Sequence, residues 1–269
     1  MIRRPAVAGR FYAADPESLR RDLIEMTRGL CPEHAPHGVA LMVPHAGYIY
    51  SGRVAAAAYS AIRLPDRIVV LGPNHTGLGE PVALMSEGSW RSPLGDVPID
   101  QPLAESILAG CRSARKDEVA HRNEHSLEVQ IPFLQLLRHD FRFVPICVGT
   151  LDLPTLLDLG RSVADAIVAT GGDALVVVSS DMSHYLPRDA AERDDRKAID
   201  RLLALDPEGL HRVVLADRIS MCGIAPAVAG LEAARRLGAR QARLIAYATS
   251  GDRSGDYQSV VGYAGIAVT

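Results

Sequence analysis

Six short apolar segments, spread along the chain, constrain the fold more than any other feature of the sequence. Each is rich in Val, Ile or Leu, which is typical of strands that are covered on both faces. A chain of this kind needs helices on both sides of its sheet. The predicted strands are Gly38–Pro44, Arg67–Gly72, Arg142–Val148, Ala174–Ser180, Arg243–Thr249 and Val260–Val268.

Amphipathic stretches that favour helices lie between these segments. They are Pro16–Gly29, Gly52–Arg63, Gln101–Ala109, Ser126–Arg138, Pro154–Thr170, Asp189–Ala204, Pro207–Val214 and Ile224–Leu237. Alternating strands and helices predict an α/β fold, a three-layer sandwich with a central, mostly parallel or mixed sheet flanked by helices. The segment Thr76–Ile99 reads as a loop or hairpin excursion. Because apolar residues continue through it, we expect a single domain over residues 1–269.

Composition excludes several functional classes. The chain has 29 Lys and Arg against 32 Asp and Glu, and this balance argues against a dedicated nucleic-acid binder. Neither GxGxxG nor GxxxxGK[ST] occurs, so phosphate binding by a glycine-rich loop has no support. The sequence offers no membrane-spanning apolar run and no secretory signal, and its four cysteines form no CxxC pair. We therefore expect a cytoplasmic protein without a membrane partner.

Polar residues follow three of the predicted strands directly. The first strand runs into His45, the second into His75, and the strand at Ala174 runs into Asp181 and His184. Ligands of open α/β sheets bind outside the carboxyl ends of the strands, so these side chains are expected at one edge. A hydrogen-bonded loop histidine is the ordinary alternative for each of them alone. Three histidines at one predicted edge favour a site.

Cys222 precedes the predicted helix at Ile224. A thiol at a helix N-terminus faces the positive end of the helix dipole, which favours the thiolate that binds metal or attacks an electrophile. The alternative is a small buried apolar side chain. That alternative is the expectation for the other three cysteines, Cys31, Cys111 and Cys147.

A polar cluster, HRNEHSLEVQ, lies at the start of another predicted helix. His125 and Glu128 are three residues apart and share a helix face, which suits a substrate contact or an outer layer around a metal. Glu124 and Glu128 are alternatively explained as solvated side chains. We assign Glu124 and His125 to this outer layer, together with Tyr48 and Asn74 from the strand-end segments.

These residue types suit a metal site better than a serine hydrolase, because GxSxG is absent. We expect His45, His75 and Cys222 to bind a metal with an open position, with Asp181 or His184 as acid/base groups. A Cys222–His184 nucleophile pair without metal remains an alternative.

The same motifs resemble those of the Memo family, whose bacterial and archaeal members are often named AmmeMemoRadiSam system protein B. The resemblance spans nearly the whole chain and rests on RRPAVAGRFYAAD, VPHAGYIYSG, LGPNHTG, NEHSLEVQIPFLQ, SSDMSHY and MCGIAP. It implies a fold like the LigB-type class III extradiol dioxygenases, which hold non-haem Fe(II) with two His and a Glu. In the Memo family two His and a Cys match that pocket, here His45, His75 and Cys222, and Asp181 and His184 match further pocket residues.

For function, the resemblance implies Fe(II) as the first choice of bound metal, copper as the second and zinc as the least favoured. It also implies AMMECR-type and radical SAM proteins as partners. A thiolate in place of a carboxylate makes the site softer and oxidisable, so ring cleavage does not follow from the fold. The main hypothesis is a metal-dependent oxidoreductase. The alternative is a non-catalytic scaffold that binds metal, a small molecule or a peptide in the same pocket.

Overall fold

The computed structural model describes residues 1–30 and 34–269. Cys31 lies outside the described residues. In the described part, the strands are β1 (Ile2–Arg3), β2 (Ala40–Val43), β3 (Arg67–Pro73), β4 (Val82–Leu84), β5 (Ser89–Ser92), β6 (Gly95–Pro98), β7 (Arg115–Lys116), β8 (Arg142–Val148), β9 (Leu175–Ser179), β10 (His184–Leu186), β11 (Ala242–Thr249) and β12 (Val260–Val268). The helices are α1 (Pro16–Thr27), α2 (Tyr48–Ser60), α3 (Gln101–Gly110), α4 (Ile131–Leu137), α5 (Leu153–Ala169), α6 (Arg188–Leu203), α7 (Pro207–Ala216), α8 (Ile224–Arg236) and α9 (Gly251–Ser254).

Within the described residues, nine strands form one mixed sheet in the order β10-β12-β2-β9-β3-β8-β4-β7, with β11 paired to β12. The centre of the sheet is parallel, because β2, β9, β3 and β8 pair in the same direction. β12 and β4 run antiparallel to this centre. The six predicted strands are all confirmed, and β1, β5 and β6 form a separate small sheet.

Helices cover both faces of the sheet. A Cβ on Gly230 of α8 would lie 2.2 Å from Val178 of β9, so α8 packs closely on that face. The next residue, Ser179, points to the opposite face and contacts Gln130 just before α4. α2 packs on β2, β11 and β12. This is the three-layer arrangement that the alternating pattern predicts.

Aspartate is the N-cap residue of four of the helices, and this explains where these helices begin. The side chains of Asp15, Asp100, Asp152 and Asp206 each accept a hydrogen bond from a backbone N–H three residues later. Each of these helices also has proline in its first turn, where the missing N–H costs nothing.

Two helix boundaries differ from the sequence-based prediction. α2 begins at Tyr48 rather than Gly52, because the backbone N–H of Tyr48 is satisfied by the Phe11 carbonyl at 2.8 Å. The helix predicted from Ser126 is a 3-10 turn over Glu128–Gln130 followed by α4. The excursion Thr76–Ile99 contains β4, β5 and β6, and the last two form a hairpin. Among the described helices, none has the length and apolar character needed to cross a membrane.

Candidate metal centre

Three adjacent parallel strands deliver polar residues to one edge of the sheet. β2, β9 and β3 are neighbours, and His45, Asp181 and His75 each follow the last residue of their strand by two positions. The shared offset places their side chains side by side beyond the carboxyl ends. The strand-end prediction for these three residues agrees with this placement.

A third imidazole completes a cluster with His45 and His75. His125 comes from the loop before α4, and one ring nitrogen from each of the three lies within 4.8 Å of the others. The rings of His75 and His125 are stacked at 4.5 Å, and His45 meets both edge-on. Phe11, from the N-terminal segment, packs on His125 at 4.8 Å. We call His45, His75 and His125 the three-histidine cluster.

Glu124 orients His75 from behind. Its Oε2 accepts the backbone N–H of His75 at 2.6 Å, and its Oε1 lies 2.9 Å from Nδ1 of the same ring. A carboxylate only accepts at neutral pH, so Nδ1 carries the proton and Nε2 offers its lone pair. Burial opposes ionisation, but the bonds to His75 and Ser126 outweigh it and lower the pKa of Glu124 to about 2. This carboxylate–histidine pair is the usual support of a metal ligand.

Cys222 contacts His45. Its Sγ lies 3.1 Å from Nε2 of His45, immediately before α8. The donor set predicted from the sequence (His45, His75 and Cys222) and the observed three-histidine cluster are therefore two candidate donor sets that share His45 and His75, and the contact that links Cys222 to them is the one with His45. Without a cation, burial and the carboxylate of Asp181 raise the pKa of Cys222. The helix dipole alone therefore does not give the thiolate that we expected from the sequence, whereas a bound cation would favour it.

Asp181 and His184 lie beside these donors. Oδ1 of Asp181 accepts the backbone N–H of His45 at 2.7 Å, and burial raises the pKa of this carboxyl. Nδ1 of His184 lies 2.9 Å from the backbone oxygen of Ser220. A carbonyl only accepts, so Nδ1 carries the proton and Nε2 of His184 is the basic nitrogen. His184 is thus held in a form that accepts a proton.

The other two outer-layer residues support the local backbone. The Tyr48 hydroxyl donates to the Val129 carbonyl at 2.7 Å, and its ring packs on Phe133. Oδ1 of Asn74 accepts from Thr76 and Gly77 and so closes the turn that carries His75. These contacts shape the walls of the site.

Sequence reasoning did not predict the burial of three groups around the cluster. Glu128, for which a solvated side chain was one alternative, and Gln130 are 2% and 1% exposed. Ser179, which lies within a predicted strand, is fully buried against His45. The segment HRNEHSLEVQ could have indicated buried polar groups, because so many polar side chains directly before an apolar helix need hydrogen-bond partners.

The donor chemistry fits a transition metal. Imidazole suits iron, copper and zinc, and a neighbouring thiol adds a soft ligand. The donors come from rigid strand ends and one loop, and His75 has a buried carboxylate partner. These residues would hold the ion between His45 and His75.

The buried imidazoles predict an acid-sensitive stability in metal-free protein. Burial is the main cause that lowers the pKa of His125 from 6.5 to about 4, and burial likewise lowers that of His45. The unfolded chain then binds more protons, so stability is lost as the pH falls from 6.5 to 4, by up to about 1.4 kcal/mol per pH unit for each histidine. Denaturant unfolding at several pH values measures this, and His125→Asn is expected to flatten the slope. An equal slope in both proteins would contradict the assignment.

Comparison with known proteins places the chain among related sequences. The model of the family described as Memo-like protein matches residues 3–267. A MEMO1 family protein of Methanopyrus kandleri is 45% identical, covering 99% of this chain and 98% of the relative. A second, from Methanothermobacter thermautotrophicus, is 46% identical over 98% of this chain and 99% of its own length.

A solved structure shares the fold. The crystal structure of an uncharacterized protein from Escherichia coli K12 superimposes with a TM-score of 0.55, at 16% identity, over 85% of this chain and 99% of that one. At this identity the similarity concerns the architecture alone. The family match over nearly the full chain and the close relatives carry the conclusion: this chain belongs to the Memo family.

Proposed function

We propose that this protein holds a redox-active metal, iron or copper, at the three-histidine cluster and acts as an oxidoreductase on a small molecule or peptide. The observation that carries the proposal is the convergence of three imidazole nitrogens within 4.8 Å, with the Cys222 thiol 3.1 Å from one of these rings. Such a metal, when bound, would supply electron transfer and Lewis acidity at this edge of the sheet.

The remaining chemistry belongs to residues around the donors. His184 presents a basic Nε2 because its Nδ1–H is bound to the Ser220 carbonyl, so it can take a proton from a substrate hydroxyl or amine. Asp181, held by the His45 backbone, keeps a carboxyl beside the same space. Its raised pKa suits a group that gives a proton back.

A cavity that borders Phe11, a neighbour of the cluster, offers space for part of a ligand. It has a volume of about 490 Å³, in the usual range for small-molecule pockets, and its lining includes Phe11, Tyr48, Arg10 and Arg253. Phe11 lines this cavity and also packs on His125. Its charged lining residues are of both signs, Arg10, Arg53 and Arg253 with Asp22 and Glu25.

Metal analysis of protein purified without oxygen tests the proposal and chooses between the donor sets. We expect about one Fe or Cu per chain in the wild type. If Cys222→Ser loses the metal and His125→Ala keeps it, the thiol is the third donor. If His125→Ala loses the metal and Cys222→Ser keeps it, the third donor is the imidazole. No iron or copper in the wild type, even after anaerobic reconstitution, contradicts the proposal.

The second candidate is a scaffold that binds metal or a peptide in this pocket without turnover. The cavity that borders Phe11 favours it as much as it favours an enzyme. Oxygen uptake by metal-loaded protein separates the two, since a binding protein consumes no oxygen beyond thiol oxidation. AMMECR-type and radical SAM proteins, as partners, belong to both versions of the proposal.

A further inference from the structure

A chain of buried polar side chains lies behind His45. It links Tyr59, Gln130 and Ser179 to Nδ1 of His45, and each of these four residues is at most 2% exposed. Tyr59 Oη to Gln130 Oε1, Gln130 Nε2 to Ser179 Oγ, and Ser179 Oγ to His45 Nδ1 are each 2.9 Å apart. Because the groups are buried, every proton in the chain must have an acceptor.

The amide of Gln130 can have only one orientation. Its Nε2 lies 3.0 Å from the carbonyl oxygen of Pro44, and a carbonyl accepts but never donates. The NH2 end therefore faces Pro44 and Ser179, while Oε1 accepts from the Tyr59 hydroxyl. Gln130 consequently donates a proton to Ser179.

The hydroxyl of Ser179 is then fully used. Its Oγ lies 2.7 Å from the carbonyl oxygen of Ser126, which again only accepts, so the single hydroxyl proton goes there. One of its two lone pairs receives the Gln130 amide proton. The other faces His45 Nδ1, and two lone pairs at 2.9 Å would repel each other. Nδ1 of His45 must therefore carry a proton.

We propose that Ser179, itself oriented by Gln130, is a positioning residue that fixes neutral His45 as the Nδ1–H tautomer and leaves its Nε2 unprotonated, so that this lone pair can bind the metal. The consequence for metal binding rests on the proposed function, whereas the tautomer does not. The amide of Gln130 lies between the hydroxyls of Tyr59 and Ser179 and does not pass a proton from one to the other. These hydrogen bonds therefore fix the position of the His45 proton and do not transfer it.

His45 and His75, which belong to both candidate donor sets, have different hydrogen-bond partners at Nδ1. Nδ1 of His75 is backed by the carboxylate of Glu124, and Nδ1 of His45 by the neutral hydroxyl of Ser179. An anionic partner makes an imidazole a stronger donor than a neutral one does. His45 is accordingly the weaker donor of the pair, and its orientation depends more on the tautomer being fixed.

Nitrogen-15 NMR of histidine-labelled, metal-free protein at neutral pH tests the tautomer directly, with His45→Gln to assign the signal. In the wild type we expect a protonated Nδ1 and an unprotonated Nε2 on His45. Ser179→Ala is expected to give the Nε2–H form or a mixture. Its affinity for Zn²⁺, used as a redox-inert probe, should fall by about 10- to 100-fold, as for other outer partners of ligands.

Ser60→Ala is the matched control, because Ser60 is also a buried serine and its hydroxyl has no partner among the described residues. It should keep both the tautomer and the Zn²⁺ affinity. An Nε2–H signal in wild type overturns the proposal without any variant. So does a Ser179→Ala protein that matches Ser60→Ala in both measurements. A wild-type protein that has Nδ1–H on His45 but binds no metal would contradict the proposed function, whereas the tautomer assignment would remain valid.

Discussion

Replacing His45 by alanine is expected to abolish stoichiometric metal binding. His45 belongs to both candidate donor sets, since its ring lies in the three-histidine cluster and its Nε2 contacts the Cys222 thiol at 3.1 Å. Loss of an outer partner alone typically costs 10- to 100-fold in affinity, so loss of the ligand should weaken binding by at least about 100-fold. Elemental analysis and a competition titration against a chelator measure the effect.

His139→Ala is the control for this variant. His139 is 95% exposed and lies just before β8, at the opposite edge of the sheet from the cluster. It should retain the metal content of the wild type. Full metal occupancy in His45→Ala would mean that the ion binds elsewhere, and the proposed site would be wrong.

Replacing Glu128 by alanine is expected to cost about 3–5 kcal/mol of unfolding free energy, as the breaking of a buried ion pair usually does. Its carboxylate pairs with Arg3 and also accepts from Ala6 N–H, Val7 N–H and the Tyr12 hydroxyl. The pair is buried, with side-chain exposures of 6% and 2%. The variant leaves a cation and three donors without their acceptor.

Denaturant unfolding measures this loss, with Glu87→Ala as the control. Glu87 pairs with Lys116 at the surface, where both side chains are about half exposed, and such screened pairs contribute little to stability. The double variant Arg3→Met/Glu128→Leu should lose less than Glu128→Ala alone, because no charge stays buried unpaired. A Glu128→Ala protein as stable as the Glu87→Ala control would contradict the anchoring role.

The anchoring matters for the site as well as for stability. Glu128 holds the segment from Arg3 to Tyr12, and Phe11 of this segment packs on His125. The N-terminus thereby becomes a wall of the cluster. Nothing in the local pattern of the first residues predicts this contact, because its partners are more than a hundred positions away.

The sheet was predictable because its strands are short, apolar and buried on both faces. β3, β8 and β12 begin and end within a residue of the predicted bounds. Helix starts were predictable where the cap is local, as at Asp15 and Asp206. The start of α2 at Tyr48 was not, because its first N–H is satisfied by the distant Phe11 carbonyl.

The residues of the candidate site likewise divide into those that local sequence predicts and those that depend on tertiary contacts. The strand-end rule predicted that His45, His75 and Asp181 lie at one edge, since a parallel sheet brings all its carboxyl ends together. The outer role predicted for His125 came from its spacing to Glu128 on a predicted helix, whereas His125 lies on the loop before the 3-10 turn, where it meets His45 and His75. The protonation of Cys222 likewise follows from burial and from Asp181, neither of which the helix dipole reveals.

The α/β class, the parallel core and the strand ends that carry imidazoles could be predicted because they depend on periodicity and on residues next to one another in the chain. Which side chains share a hydrogen bond across the molecule depends instead on how distant segments pack. Glu124 behind His75, Ser179 behind His45 and Glu128 beneath the N-terminus are all such pairs. Their effect depends on burial and on distances of about 3 Å, which arise only when separate segments pack together.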